Sequence, residues 1–215
     1  MADRLTMFAR TLAPATASLL NKLSRKRWLQ HFYLAGGTAL ALHYGHRQSV
    51  DLDFFTAKNI AAPPLLKQLK QTARFELTNQ EANTVEGILA GVKVSFITFP
   101  YPLRQQPVRF RGWIRLATPL DIALMKLGAI TGRNTKKDFL DLYLCLQREQ
   151  IALKQLLNFL QKQFSGVSYD PYHLYKSLTY FTEADAQAMP KMFTKISWPA
   201  VKRFFIQEVK QLTKI

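Results

Sequence analysis

Residues 34–55 run Leu34-Ala-Gly-Gly-Thr-Ala-Leu-Ala-Leu-His-Tyr-Gly-His-Arg-Gln-Ser-Val-Asp-Leu-Asp-Phe-Phe55, so that a glycine pair precedes an aspartate pair. The short apolar run Phe32-Tyr33-Leu34-Ala35 predicts a buried strand that ends at Gly36-Gly37. Thr38 then predicts the start of a helix, and Gly45 its end. A glycine turn beside a helix N-terminus points backbone N–H groups at one spot, which suits the binding of a phosphate.

The aspartate pair, Asp51 and Asp53, lies in Val50–Phe55, where polar and apolar residues alternate as they do in a strand. Because successive side chains of a strand point to opposite faces, we expect both carboxylates on one face. Two carboxylates held that close repel each other, and a divalent cation between them removes the repulsion. Such paired oxygen ligands suit Mg²⁺ or Mn²⁺, which also bind substrate phosphates.

Each part of this pattern also has a simpler explanation. A Gly-Gly pair is commonly just a turn, and an Asp-x-Asp pair is commonly a solvated strand face or a calcium-like site. Arg47 and Ser49 precede the aspartates and carry donors suited to a nucleotide phosphate. They are equally compatible with a loop arginine and a turn serine. The order of the two pairs, in the predicted elements, favours the functional interpretation.

The rest of the chain predicts an α+β part followed by helices. The N-terminal patterns are a helix over residues 2–25, a helix at Leu65–Thr72, strands at Phe75–Thr78, Thr84–Leu89 and Val92–Phe99, and a loop at 100–115. The later helical patterns are Leu120–Ile130, Lys136–Leu146, Leu153–Phe164, Tyr172–Phe181 and Trp198–Leu212. We therefore expect an α/β core over residues 1–115 and a helical domain over residues 116–215.

Composition favours an anionic partner and excludes several classes of protein. The chain of 215 residues carries 30 Lys and Arg against 14 Asp and Glu, a net charge of +16 that suits a nucleotide, a nucleic acid, an anionic membrane surface or an acidic protein. Hydrophobic residues make up 48%, which excludes a disordered chain. A single cysteine, Cys145, excludes an intramolecular disulfide and a zinc site built from cysteines. Because no apolar run reaches the roughly 18 residues of a membrane span and no secretory signal is present, we expect a cytoplasmic protein without a membrane partner.

Two blocks of the sequence resemble a known family. Gly36-Gly37-Thr38, 12 further residues and Asp51-Leu-Asp53-Phe are similar to the signature of the polymerase-beta-type nucleotidyltransferases. The fuller string of residues 34–55 resembles the AbiEii/AbiGii toxin family of bacterial abortive-infection and toxin–antitoxin systems. Pro119-Leu-Asp-Ile-Ala-Leu-Met-Lys-Leu-Gly-Ala-Ile130, with Arg133, Lys137-Asp138 and Asp141-Leu-Tyr after it, resembles that family's second conserved block. The resemblance covers residues 33–146.

This resemblance implies a nucleotidyltransferase-like mixed β-sheet flanked by helices, with a helical half that completes the active-site cleft. It assigns Gly36, Gly37 and Thr38 to a nucleoside triphosphate, Asp51 and Asp53 to catalysis through Mg²⁺ or Mn²⁺, Lys126 to the phosphates, and Lys137, Asp138 and Asp141 to the completion of the site. The residues themselves support part of this, since Asp138 and Asp141 share a helix face at a spacing of three. The simpler alternatives are a solvent-facing Lys126 and an Asp138 that is only an acid in a first helical turn.

The sequence departs from the superfamily in one respect. The superfamily usually has a third carboxylate, which acts as base, on a later strand. The corresponding strand here, Gly91–Phe99, offers Lys93 and Ser95 and no acid, so that either Asp138 or Asp141 takes this role or the site is weakened.

We expect transfer of a nucleoside monophosphate from a nucleoside triphosphate to a hydroxyl of RNA, tRNA included, or of a protein, by a toxin with an antitoxin partner. The alternatives left open are a degenerate fold that binds nucleic acid or a partner, and nucleotidylation of a small molecule. An RNA contact is predicted at the four arginines of the loop before the helical half, namely Arg104, Arg109, Arg111 and Arg115. The simpler alternative is that these charges keep the protein soluble or face an acidic antitoxin.

Overall fold

The computed structural model describes residues 8–163 and 170–213. The chain divides into two units, Met1–Thr118 and Pro119–Ile215. Two predicted helices extend partly outside the described residues, the first at residues 2–7 and another at Phe164. None of the helices in the described ranges is long and apolar enough to cross a membrane.

The N-terminal unit is built from a sheet and three α-helices. Its elements, in chain order, are a 3-10 helix at Phe8–Thr11, α1 (Pro14–Leu23), a 3-10 helix at Arg27–His31, β1 (Tyr33–Leu34), α2 (Gly36–Tyr44), β2 (Leu52–Thr56), α3 (Ala62–Thr72), β3 (Phe75–Glu81), β4 (Thr84–Leu89), β5 (Val92–Thr98), β6 (Val108–Arg111) and β7 (Ile114–Leu116). The other strands and helices predicted in this unit are confirmed, with ends that shift by a few residues. The helix predicted over residues 2–25 is not continuous in its described part, which holds a 3-10 helix at Phe8–Thr11 and α1 at Pro14–Leu23.

The loop predicted over residues 100–115 is wrong in its second half, where β6 and β7 form a hairpin. The segment from Val108 to Leu116 alternates apolar and polar residues around Gly112, which has a φ of +53° and therefore favours glycine. Three prolines, the last at Pro107, precede this segment and conceal the pattern.

The sheet has seven strands in the order β3-β4-β5-β2-β1-β7-β6. The pairs β2–β5 and β1–β7 are parallel, and the other pairs are antiparallel, so the sheet is mixed. One row of paired residues crosses five strands in register: Leu116, Leu34, Phe54, Phe96 and Val85. These five side chains are buried. They define the core face of the sheet, where Phe54 and Phe96 stack with their ring centroids 5.1 Å apart.

The opposite face carries polar side chains in its central strands. Asp53, Ser95 and Glu86 each adjoin a member of the core row along their own strand. Because side chains alternate along a strand, all three leave the sheet on the other side. We call the side of the sheet that carries Asp53, Ser95 and Glu86 the aspartate face.

The second unit is helical throughout its regular elements. In chain order these are α4 (Pro119–Arg133), α5 (Lys136–Glu149), α6 (Leu153–Gln163), α7 (Pro171–Thr179), α8 (Thr182–Asp185) and α9 (Trp198–Leu212). Phe139 of α5 is buried against the rings of Phe181, Trp198 and Phe205, at centroid distances of 5.1, 5.8 and 5.5 Å. The predicted fold class, a mixed sheet with flanking helices followed by a helical half, is confirmed.

Candidate active site

The glycine turn joins β1 to α2, and the structure explains why both residues are glycine. Helix α2 begins at Gly36, two residues before the predicted start at Thr38, and Gly36 has a φ of +64°. A Cβ atom on Gly36 would lie 2.7 Å from Oδ2 of Asp53, and one on Gly37 would collide with the guanidinium of Arg47. The two glycines therefore leave room for one carboxylate and one guanidinium beside the helix N-terminus.

Thr38 and Ser49 connect this turn to the start of β2. Thr38 is 1% exposed, and its hydroxyl donates to the backbone carbonyl of Asp51 and shares a 2.8 Å hydrogen bond with Ser49 Oγ. Ser49 N also donates to Thr11 O at 3.1 Å. Both hydroxyls are thus engaged inside the protein, where they fix the position of Asp51. A direct contact of either hydroxyl with a nucleotide stays a prediction.

Arg47 brings a buried positive charge to the same turn. The residue is 4% exposed, and Nη1 donates to the carbonyl of Gln48 at 3.1 Å. Its guanidinium lies against Gly37, where the sequence predicts the phosphates. A guanidinium offers a planar fork of donors that matches phosphate geometry. The position of Arg47 favours its functional interpretation over that of an ordinary loop arginine.

A polar row crosses the aspartate face in register with Asp53, and the sequence alone does not reveal it. Asp53 of β2 pairs with Ser95 of β5, Ser95 with Glu86 of β4, and Glu86 with Asn79 of β3. Ser95 Oγ donates to Glu86 Oε1 and Asn79 Nδ2 donates to Glu86 Oε2, both at 3.3 Å. A carboxylate therefore stands next to the position where β5 lacks an acid. The alternation of apolar and polar residues in β4 indicates on which face of the sheet Glu86 lies. The sequence does not indicate that β4 pairs with β5, because this pairing is a long-range contact.

Asp51 and Asp53 fit a divalent cation. Both residues are half-buried, and their hard carboxylate oxygens are ligands that Mg²⁺ and Mn²⁺ prefer. Within residues 8–163 and 170–213, no group of three or more His, Cys, Asp or Glu side chains is placed to hold an ion. A pair of carboxylates suits Mg²⁺, which commonly binds one or two carboxylates and completes its shell with water and substrate phosphates.

The helical unit holds a cluster of charged side chains, in which a buried lysine and two buried aspartates meet a partly exposed arginine. Lys126 Nζ lies 2.6 Å from Asp138 Oδ1 and 2.7 Å from Asp141 Oδ2, and the three side chains are 5%, 1% and 0% exposed. Arg133 binds Asp138 with two donors, Nε at 2.7 Å and Nη2 at 2.9 Å, and Thr135 Oγ1 donates to Asp138 at 2.7 Å. We call Lys126, Arg133, Asp138 and Asp141 the ion cluster.

The ion cluster decides the ionisation of Asp138. Burial raises the pKa of its carboxyl, but the charges of Lys126 and Arg133 and their hydrogen bonds outweigh burial and hold the pKa well below its usual range. Asp138 is therefore ionised at neutral pH. The alternative of a solvent-facing Lys126 is wrong, because its side chain is buried against two carboxylates. Asp138 does lie in the first turn of α5, as its simpler alternative expects, and it is also buried in ion pairs with Lys126 and Arg133. Lys137 differs from its neighbours in being exposed.

The chain is similar to known proteins over much of its length. Residues 18–111 match the family model of the nucleotidyl transferase AbiEii toxin of type IV toxin–antitoxin systems. An uncharacterized protein of Aquifex aeolicus (strain VF5) is 36% identical over 183 residues, which cover 84% of this chain and 87% of that protein.

Two solved structures have a similar fold. One is described as a nucleotidyltransferase from H. pylori, with 18% identity, a TM-score of 0.52 and coverage of 99% of this chain and 95% of that chain. The other is MenT4, a nucleotidyltransferase toxin from Mycobacterium tuberculosis H37Rv, with 14% identity, a TM-score of 0.52 and coverage of 100% and 91%. At these identities the likeness concerns the fold alone. The matched family model and the Aquifex relative lead to one conclusion: the chain belongs to the AbiEii nucleotidyltransferase toxin family.

Proposed function

We propose that the chain is a metal-dependent nucleotidyltransferase that moves a nucleoside monophosphate from a nucleoside triphosphate to a hydroxyl of RNA. The observation that carries the proposal is the approach of Asp53 and Arg47 to the glycine turn, which only glycine permits at both positions. We infer that the Asp53 carboxylate binds a cation and that the Arg47 guanidinium binds phosphate beside the N-terminus of α2.

In the proposed reaction, the backbone of Gly36-Gly37 and the guanidinium of Arg47 hold the phosphates, while Asp51 and Asp53 hold the cation. The bound cation supplies positive charge to the reacting phosphate oxygens. The oxygen of the acceptor hydroxyl forms a bond to the α-phosphorus, and the bond from that phosphorus to pyrophosphate breaks. Pyrophosphate leaves with the bonding electrons, and the hydroxyl proton passes to a carboxylate.

We assign the proton-accepting carboxylate to Glu86. Ser95 stands opposite Asp53 where an acid is expected, and its hydroxyl is bound to Glu86. Two strand spacings separate the backbones of Asp53 and Glu86, about 10 Å, and both side chains leave the same face of the sheet. Asp138 is a poor base, because Lys126 and Arg133 hold its pKa low.

Lys126, Lys137, Asp138 and Asp141 remain in the proposal as residues that the family resemblance assigns to the reaction. Within the helical unit, the ion cluster holds the ammonium group of Lys126 between two carboxylates. A role of Lys126 in transfer is therefore testable only when its effect on folding is measured in the same variant.

Calorimetry and a transfer assay test the proposal. Each ribonucleoside triphosphate is titrated into the protein with Mg²⁺, with Mn²⁺ and with a chelator, and transfer is followed with α-labelled nucleotide and RNA. We expect binding that requires the metal and that Asp53→Asn abolishes. Glu81→Gln, an exposed residue of β3, is the matched control and should retain both activities. Equal nucleotide affinity in the chelator, or transfer by Asp53→Asn, would contradict the proposal.

A second candidate function is a degenerate nucleotidyltransferase fold that binds a nucleic acid or a partner protein. This candidate is favoured by the sequence of β5, which contains no acid. Ser95 of β5 pairs with Asp53 of β2, and Lys93 of β5 pairs with Ile88 of β4. Triphosphate binding without transfer to RNA, protein or small molecules would support this candidate. The family also predicts an antitoxin, and a neighbouring gene whose product relieves growth arrest would identify it.

A further inference from the structure

The sheet of the N-terminal unit carries opposite charges at its two edges. Glu76, Glu81 and Glu86 lie on β3 and β4 at one edge, whereas β6 and β7 at the other edge carry only basic charges. Residues 8–50 and 87–118 contain no Asp or Glu in their sequence. The positive charge of the β6 edge is therefore not offset by acids from the segments that build it.

The β6–β7 hairpin packs against the turn that follows α1, and this contact gathers basic residues from two parts of the chain. Trp113 N donates to Ser24 O at 2.9 Å, and a Cβ on Gly112 would collide with the same carbonyl. The guanidinium of Arg27 lies 5.9 Å from the ring centre of Trp113. The residues brought together, which we call the basic edge, are Arg25, Lys26, Arg27, Arg109 and Arg111.

The basic edge has an electrostatic cost in the isolated protein. Arg109 of β6 stands directly opposite Arg115 of β7 in the antiparallel ladder. Like charges directly opposite each other destabilise a strand pair. Arg115 donates to Gln30 O at 2.7 Å and is half-buried, while Arg25, Arg27 and Arg109 are exposed. A bound polyanion would offset this repulsion.

The basic edge lies on the same sheet as the candidate active site. Arg115 adjoins Leu116 of the core row, so Arg115 and its partner Arg109 project from the aspartate face. Strand β6 is three strands from β2, which carries Asp53. Three strand spacings amount to about 14 Å. Arg109 of the basic edge and Asp53 of the candidate site therefore project from the same face of one sheet.

The chemistry of the basic edge fits RNA better than an acidic protein. Arginine guanidinium groups match phosphate oxygens with two parallel hydrogen bonds. Arginine also occurs in protein interfaces, but there it accompanies exposed aromatic or aliphatic anchors. Among the described residues of this unit, the exposed large hydrophobic side chains are Val50 and Leu77, and neither belongs to the basic edge.

We propose that the basic edge holds the phosphate backbone of the RNA acceptor. That this RNA accepts the transferred nucleotide rests on the proposed function, whereas the binding of RNA at the basic edge does not. Of the four arginines that the sequence places in one RNA-binding loop, Arg109 and Arg111 belong to the surface, and they lie on a strand. Arg111 also donates to Asn21 Oδ1 at 3.3 Å, which orients its guanidinium against α1.

Fluorescence anisotropy with a labelled single-stranded RNA tests the surface across a salt titration. We compare a variant with Arg25, Arg27, Arg109 and Arg111 replaced by Gln against a control with Lys58, Lys67, Lys70 and Lys93 replaced by Gln. Both variants lose the same charge, and the control residues are exposed in the same unit. The log–log salt slope should fall by about 0.7 for each RNA phosphate that the variant no longer binds, up to about 2.8 for four phosphates, in the first variant only.

The outcomes separate this surface from its alternatives. Equal losses of affinity in both variants would show a net-charge effect and overturn the proposal, as would unchanged RNA binding. Loss of binding to the antitoxin with unchanged RNA binding would assign the surface to a protein and overturn it as well. Calorimetric titration of triphosphate into the same folded variants keeps the two proposals apart. If the wild-type protein binds RNA through the basic edge but does not bind triphosphate, the proposed function is wrong and the proposed RNA contact is supported.

Discussion

Replacement of Lys126 by methionine tests whether the ion cluster holds the helical unit together. Methionine keeps the length of the side chain but removes the ammonium group that lies against both buried carboxylates, Asp138 and Asp141, while Arg133 still pairs with Asp138. Removal of one partner from a buried pair costs about 3–5 kcal/mol. Because a protein of this size loses about 2–4 °C of Tm per kcal/mol, we expect a fall of about 6–20 °C.

Differential scanning calorimetry measures this change, and two further variants show its cause. Lys137→Met removes the neighbouring exposed lysine of α5 and should change the free energy of unfolding by less than about 0.5 kcal/mol. Combining Lys126→Met with Asp141→Asn removes one charge of each sign and should recover about 0.5–3 kcal/mol of the loss. A loss below about 1 kcal/mol for Lys126→Met, or no recovery in the double variant, would refute the idea that the ion cluster stabilises the unit.

Three further predictions concern the turn, the polar row and acid stability. Gly37→Ala should weaken triphosphate binding by displacing the guanidinium of Arg47, and in an Arg47→Ala background it should have no further effect; additive losses by calorimetry would contradict this. Glu86→Gln should lower kcat with little change in KM for the triphosphate, with partial rescue by Glu86→Asp, whereas Glu81→Gln should change neither. The lowered pKa of Asp138 stabilises the fold above the unfolded pKa of about 3.9, and this stability is lost as pH falls below it. The free energy of unfolding of Asp138→Asn, measured between pH 2 and 5, should therefore depend less on pH than that of the wild type, and parallel curves over this range would argue against the ion pairs.

The elements that were predicted well have local signals at their ends. Trp198–Leu212 begins with Pro199 in its first turn, and α2 ends at Gly45 with a φ of +66°. Strands β6 and β7 were missed because they are only four and three residues long, and such short strands are set by their neighbours more than by their own sequence.

The candidate site was predictable where its parts are close in sequence, and not where they meet through folding. The glycine pair and the aspartate pair lie within 18 residues of each other, from Gly36 to Asp53, and the structure brings them together. Glu86 joins the row only through the pairing of β4 with β5 and of β5 with β2, which are separate long-range events. The ion pairs of Lys126 likewise depend on how α4 packs on α5, which periodicity does not specify.

The length of α2 accounts for the spacing between the two pairs. Its nine residues, Gly36–Tyr44, carry the chain about 13.5 Å away from the glycine turn. Gly45 then ends the helix in the left-handed region, and the seven residues from Gly45 to Asp51 can span up to about 23–25 Å, enough to return to the start of β2. The hydrogen bond from the Thr38 hydroxyl to the Asp51 carbonyl joins the start of α2 to the residue that precedes β2. A helix longer by one turn would need about 5 Å more of returning chain, so the distance in sequence between the glycines and the aspartates is a consequence of closing one helix back onto one strand.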